Sequence, residues 1–319
     1  MDRRRQWFVV LVSCLLPLVC GGATCNRFAG GTLPPPPPVL VDDAPSLTDV
    51  AAAVNRSRLV DQLSTGAMRV RLTSAPQLPE LRGTMSARRD RDFRLRAKLP
   101  VMLGSAIDLG SNATSFWIQA PGPTGRRTLY HADHEIFRRS MRRDLLPVDP
   151  TWVMDALGLA AIDPNAVVAG PHRREDGLIE VRSIVAMPDG NYDRVLYIEP
   201  RGGYVTTQIM IDPAGRTIAA AHSTQHVYYP IGDAGVVLPH RVDLQLSPPG
   251  GESIAMQIRI DQYAVNQLIS SDPRLFEMPT DASETINLTV PTGVPTHAAT
   301  TQPSSYRVTQ SQSPAIRTR

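Results

Sequence analysis

Between Met68 and Lys98 apolar and polar residues alternate one by one in three runs, and this period of two constrains the chain more than any other feature. Met68, Val70 and Leu72 alternate with Arg69, Arg71 and Thr73. Leu81, Gly83, Met85 and Ala87 alternate with Arg82, Thr84, Ser86 and Arg88, and Phe93, Leu95 and Ala97 with Arg94, Arg96 and Lys98. Successive side chains of a strand point to opposite faces, so each run predicts a strand with one apolar and one wet face. Further strands are expected near 104–109, 114–119 and 127–131, and then at 177–187, 192–199, 203–212, 216–228, 235–247 and 252–262. Turn signals such as Asp189-Gly190-Asn191 and Pro213-Ala214-Gly215 recur roughly every 8 to 15 residues, the spacing of an antiparallel meander rather than of βαβ units.

Helices interrupt this pattern in three places. Ser46 followed three residues later by Asp49 reads as a capping box, and Val50, Ala53, Val54, Leu59 and Leu63 recur at helical spacing, predicting a helix that ends at Gly66. A polar helix is expected over Asp133–Met141. Another opens at Pro150, with Trp152, Val153, Ala156 and Leu157 on its apolar side.

The chain ends read differently. Arg3, Arg4 and Arg5 precede an apolar run, Trp7–Val19, which is too short and too broken by Pro17 to span a bilayer and so reads as an export signal over 1–24. The three cysteines, Cys14, Cys20 and Cys25, all lie in the first 25 residues, which excludes a disulfide scaffold or a thiolate metal site in the body of the chain. Their place suggests a lipoprotein signal, with Cys25 as the acylated residue and Cys20 and Cys14 as alternatives. A plain cleaved signal stays open. Residues 25–41 include Pro34 to Pro38, a polyproline II tether. Residues 281–319, rich in Thr, Ser, Gln and Pro toward the end, are expected to be a disordered tail, which leaves 42–280 as the folded domain.

Few residues carry chemistry. Asp108-Leu109-Gly110-Ser111-Asn112 is similar to the first phosphate loop of the actin-like phosphohydrolases, but it also reads as a hairpin turning at Gly110-Ser111-Asn112. His131 and His134 lack a third ligand at any telling spacing, so no metal and no cofactor are expected. Lys98 is the one lysine among 33 basic residues, and the net charge of +3 drops to about +1 without residues 1–24, so bulk charge implies no nucleic-acid partner. Arginine pairs such as Arg88-Arg89 and Arg138-Arg139 read as solvated turns or as contacts to anionic headgroups.

The order of elements, a helix, six strands, two short helices and about six more strands, resembles that of the LolA/LolB lipoprotein carriers and the wider lipoprotein-sorting-like families. Phe93-Arg94-Leu95-Arg96-Ala97 before Leu99-Pro100, the hairpin carrying Phe116-Trp117, and Leu275-Phe276-Glu277-Met278-Pro279 carry the resemblance. It implies an α+β fold, mainly antiparallel: an incomplete barrel of about 11–13 strands with an N-terminal helix and a two-helix lid. It further implies a concave face that binds acyl chains or lipid, lipoproteins included, through Met68, Val70, Leu72, Met85, Phe93, Leu95, Phe116 and Ile118, under a lid carrying Phe137, Trp152, Val153 and Leu157. Apolar burial holds an acyl chain without a catalytic group, so the reading is of a non-enzyme. The expected location is the bacterial envelope, anchored and facing the periplasm, in the outer membrane. A sensor or scaffold that uses the same fold to bind a protein is the alternative reading.

Overall fold

The computed structural model describes residues 37–40, 42–89, 91–98, 107–121, 126–139, 146–267 and 272–289. Its first meander consists of β1 (Gln62–Leu72), β2 (Leu81–Arg88), β3 (Asp92–Lys98), β4 (Ile107–Ser111), β5 (Ser115–Pro121) and β6 (Arg127–Asp133). The second runs through β7 (Val167–Arg173), β8 (Ile179–Met187), β9 (Gly190–Ile198), β10 (Val205–Ile211), β11 (Thr217–Ile231), β12 (Ala234–Leu246) and β13 (Ile254–Ile260). Within each meander every strand pairs antiparallel with its chain neighbour.

One long-range pairing joins the two halves. β1 takes β2 on one side, with Val70 opposite Leu81, and β13 on the other, with Met68 opposite Ile260 and Leu72 opposite Met256. The two-residue β14 (Ala264–Val265) also pairs with β1, and β15 (Glu284–Asn287) lies parallel to β6. Among the described residues β7 and β15 are the two end strands, and the sheet curls without closing.

Among the described residues the sheet has fifteen strands, where the resemblance implies about 11–13. The additional ones include β7, β14 and β15, and the last two are too short to display a period. β15 lies past residue 280, where the sequence places the start of a tail; its neighbour Leu288 is buried, and Ser283 N–H donates to the Arg127 carbonyl at 2.9 Å. At the other end Leu40 is buried and Val39 N–H donates to the Arg201 carbonyl at 2.7 Å, so part of the expected tether packs onto the domain. Residues 1–36 and 290–319, with the expected signal, Cys14, Cys20, Cys25 and most of the tail, lie outside the described residues.

The first helix, α1, spans Leu47–Val54 and starts with the expected box: Ser46 Oγ accepts from Asp49 N–H, and Asp49 accepts from Ser46 N–H. It stops well short of Gly66. The Asn55 side chain donates to the Ile162 carbonyl and accepts from Ile162 N–H, both at 2.9 Å, which draws the chain into a 3-10 turn, Asn55–Leu59. Leu63 therefore lies in β1. α2 is the single short turn pair His134–Arg139. α3 (Trp152–Met154) runs on as a wide turn, Asp155–Leu159, ended by Gly158 at φ +94°.

These helical pieces fill the inner face of the sheet. Val50, Ala51, Ala53 and Val54 of α1 pack on Ile179, Val181, Leu196 and Ile198 of β8 and β9. Trp152, Val153, Ala156 and Leu157 pack farther along on Met68, Phe93, Leu238 and Ile258. Carbonyl oxygens at the ends of so short a helix need outside donors. The sheet supplies them: Gln208 Nε2 donates to the Trp152 carbonyl at 3.0 Å and Ser223 Oγ to the Ala156 carbonyl at 3.1 Å. Among the described residues no helix is long and apolar enough to cross a membrane.

Candidate functional site

The inner face is not filled everywhere. Between the segment 146–153 and the two strand groups β1, β3–β5 and β12–β13 lies a groove of about 340 Å³. Val70 and Leu72 come from β1, Leu95 from β3, Ile107 and Leu109 from β4, and Ile118 and Ala120 from β5. Leu244 and Leu246 of β12 and Met256 and Ile258 of β13 form the other wall, and Leu146, Val148, Pro150, Trp152 and Val153 the third. Asp149 is its one charged lining residue, and Ile254, 41% exposed, stands at the rim. A concave, largely apolar space of this size suits a hydrophobic ligand.

Of the residues expected to contact an acyl chain, Val70, Leu72, Leu95 and Ile118 line the groove. Met68, Met85, Phe93 and Phe116 point to the same side but are buried in the core beneath or beside it. The sequence reading missed the β12–β13 wall. The alternation of Leu244 and Leu246, and of Ile254, Met256 and Ile258, is as legible as that of β1, but only the pairing of β1 with β13 brings the two walls together. Among the expected lid residues Trp152 and Val153 border the groove, Leu157 is core, and Phe137 packs edge-on against Phe116 with ring centroids 5.0 Å apart.

A polar clamp fixes the segment that roofs the groove. His134, the first residue of α2, is buried; its Nδ1 lies 2.6 Å from Asp149 Oδ2 and its Nε2 3.1 Å from both Ser111 Oγ and the Asn112 carbonyl. Burial pushes the Asp149 carboxyl up, but the His134 contact and the Thr151 N–H outweigh it and hold the group below its ordinary 3.8. The connectivity Ser111–His134–Asp149 is that of a nucleophilic relay. Ser111, however, is 0% exposed and sits under Phe93 and Phe116, the residues opposite it in β3 and β5, so the trio works as a latch between β4, α2 and the roof.

The structure also decides the reading of the Asp108 loop. Gly110 and Ser111 belong to β4, and the turn is made by Asn112, whose Oδ1 accepts from the N–H groups of Thr114 and Ser115. The Trp117 ring lies so close over Gly110 that a Cβ there would be 2.1 Å from it. Asp108 is buried on the outer face, accepting from Arg94 Nη2 at 2.7 Å, Arg94 Nε at 3.0 Å and Trp117 Nε1 at 3.3 Å. Arg94 Nη1 in turn donates to the carbonyls of Leu275 and Glu277, both at 3.0 Å, tying the strap before β15 onto β3. A carboxylate so engaged is not free to hold a metal-bound water as the Asp of such a phosphate loop does. His131 and His134 are not gathered into a metal site, and among the described residues no group of three or more His, Cys, Asp or Glu side chains could hold an ion.

The sheet and groove together define an open, mainly antiparallel half-barrel with an apolar inner channel. No protein-family model and no curated protein matches the chain. Among solved structures it is similar to a domain described as outer membrane lipoprotein-sorting from Vibrio parahaemolyticus, at 9% identity and TM-score 0.46, covering 70% of this chain and 95% of that one. It is also similar to a DUF1329 family protein from Desulfovibrio piger, at 10% identity and TM-score 0.46 over 71% and 94% of the two chains. A LolA superfamily protein, NE2245 from Nitrosomonas europaea, follows at 11% identity and TM-score 0.38 over 68% and 94%.

Proposed function

We propose that the chain is a membrane-anchored envelope lipoprotein that holds an acyl chain or lipid, lipoproteins included, in the apolar groove. The groove carries this reading: about 340 Å³ of space walled by aliphatic side chains from six strands and a roof, with Asp149 turned into the clamp. Burial of roughly ten methylenes contributes about 8 kcal/mol with no directional partner, so such a site needs neither cofactor nor catalytic group. The roof and α2 act as the lid, and the anchor is Cys25, behind the basic and apolar N-terminal run.

Protein purified without detergent is expected to release lipid on extraction, or to carry it in native mass spectrometry. Leu109→Trp, which fills the groove from β4, should cut binding of a fluorescent fatty acid by at least about tenfold. Lipid-free protein that also ignores the acyl probe would remove the carrier reading and favour a sensor or scaffold for a protein partner. Palmitate labelling lost in Cys25→Ser but kept in Cys20→Ser supports the anchor at Cys25, and the reverse pattern moves it.

A further inference from the structure

The outer face of the sheet carries a line of cations set by strand register. Arg241 of β12 is opposite Arg259 of β13, Arg259 is opposite Arg69 of β1, Arg69 is opposite Arg82 of β2, and Arg82 is opposite Lys98 of β3. Five basic side chains thus stand side by side on five adjacent strands, a row about 19 Å long at the usual strand spacing. Each neighbours an inward residue buried in the core: Val242, Ile258, Met68, Leu81 and Ala97. Arg69 pairs with Asp261 and Arg241 with Asp243. Arg82, Lys98 and Arg259 have no ion-pair partner among the described residues.

Like charges directly opposite one another destabilise a sheet. The chain repeats that arrangement four times in succession, so an anionic partner is the natural compensation. The face around the row is polar and charged (Arg71, Thr84, Arg96, Asp243 and Gln257), and its aromatic rings, Trp117 beside Arg94 and Phe276 under Arg88, are buried. A protein interface needs an apolar or aromatic core, and single-stranded nucleic acid needs stacking platforms. A clustered basic face with neither matches a surface of anionic phospholipid headgroups, whose phosphates guanidinium groups bind in a fork geometry.

We propose that this row is a docking surface for an anionic phospholipid leaflet, separate from the groove. It stands on register and charge alone and holds whether or not the groove takes an acyl chain. The test is partitioning of the full chain onto phosphatidylcholine vesicles with and without roughly 30% phosphatidylglycerol, compared with Arg82→Thr/Lys98→Thr/Arg259→Thr. The ratio between the two vesicle types removes whatever binding does not depend on anionic lipid. At about fivefold per cation, the triple variant should lower that ratio by about a hundredfold, and about 0.5 M salt should lower the wild-type ratio similarly. Its acyl-probe binding should be unchanged and its urea midpoint equal or higher, since all four repulsive pairings are relieved. An unchanged ratio in the triple variant overturns the proposal. So does retention on heparin without any preference for anionic vesicles, which would assign the row to a soluble polyanion. If the triple variant fails to fold, Arg82→Thr alone must still lower the ratio by about fivefold.

Discussion

Replacing His134 by alanine removes the centre of the latch that holds the groove's roof, and the structure sets the size of the loss. The 2.6 Å contact with Asp149 is a hydrogen bond to a carboxylate, the kind that contributes about 1.5–3 kcal/mol. Asp149 is 30% exposed and regains water once released, so its own penalty is small. Ser111 is 0% exposed and does not, so its hydroxyl is left without the His134 contact at about 1–3 kcal/mol. Together these give about 3–5 kcal/mol for His134→Ala, with the loss concentrated in the roof. Urea denaturation should show the global part, and amide exchange at 148–157 should show the local part as faster opening. Asp149→Asn keeps a neutral hydrogen bond and should cost about half as much. The acid dependence has a definite sign. Asp149 titrates below its ordinary 3.8 in the folded state, so its stabilisation is complete above that value and is lost as pH falls through the lowered one. His134→Ala should lose this acid-sensitive component. A His134→Ala protein within about 0.5 kcal/mol of wild type, with unchanged exchange at 148–157, would refute the latch.

Three further outcomes follow from other sites. Arg94→Leu leaves Asp108 buried with only the half-exposed Arg96 and Trp117 as partners and strands the Leu275 and Glu277 carbonyls, so it should cost about 3–5 kcal/mol in urea unfolding and expose the 272–281 strap to protease; a strap as resistant as in wild type would contradict this. His226 is held to about 4 by burial, against an ordinary 6.5, so below pH 6.5 the unfolded chain takes the proton first and stability should fall toward pH 4 by at most about 3 kcal/mol. His226→Gln should flatten that dependence in denaturation measured at pH 7 and 4.5, and an unaltered slope would count against it. Gly158→Ala forces a Cβ to 2.9 Å from Pro239 Cδ at φ +94° and should lower stability by about 1–3 kcal/mol; a neutral result would mean that the α3 turn can shift off β12.

What the sequence by itself determined was local. A strand's period of two and a capping box both act over a few residues, so the alternation in β1–β3 and the Ser46–Asp49 pair were legible without knowledge of the fold. The inward residues of β1, β3 and β5 were legible too, although the sequence could not separate those that line a groove, such as Leu95, from those that fill the core, such as Phe93. The end of the first helix was misplaced because an Asn55–Ile162 contact spanning more than a hundred residues decided it.

Tertiary structure alone decided which strands meet. Both walls of the groove, and the row from Arg241 to Lys98, exist because β1 pairs with β13, and no local signal in either strand specifies that partner or its register. A slip of one residue there would turn the cations into the core and the aliphatic wall out to water, so burial of that wall fixes the register, and the register in turn aligns the charges.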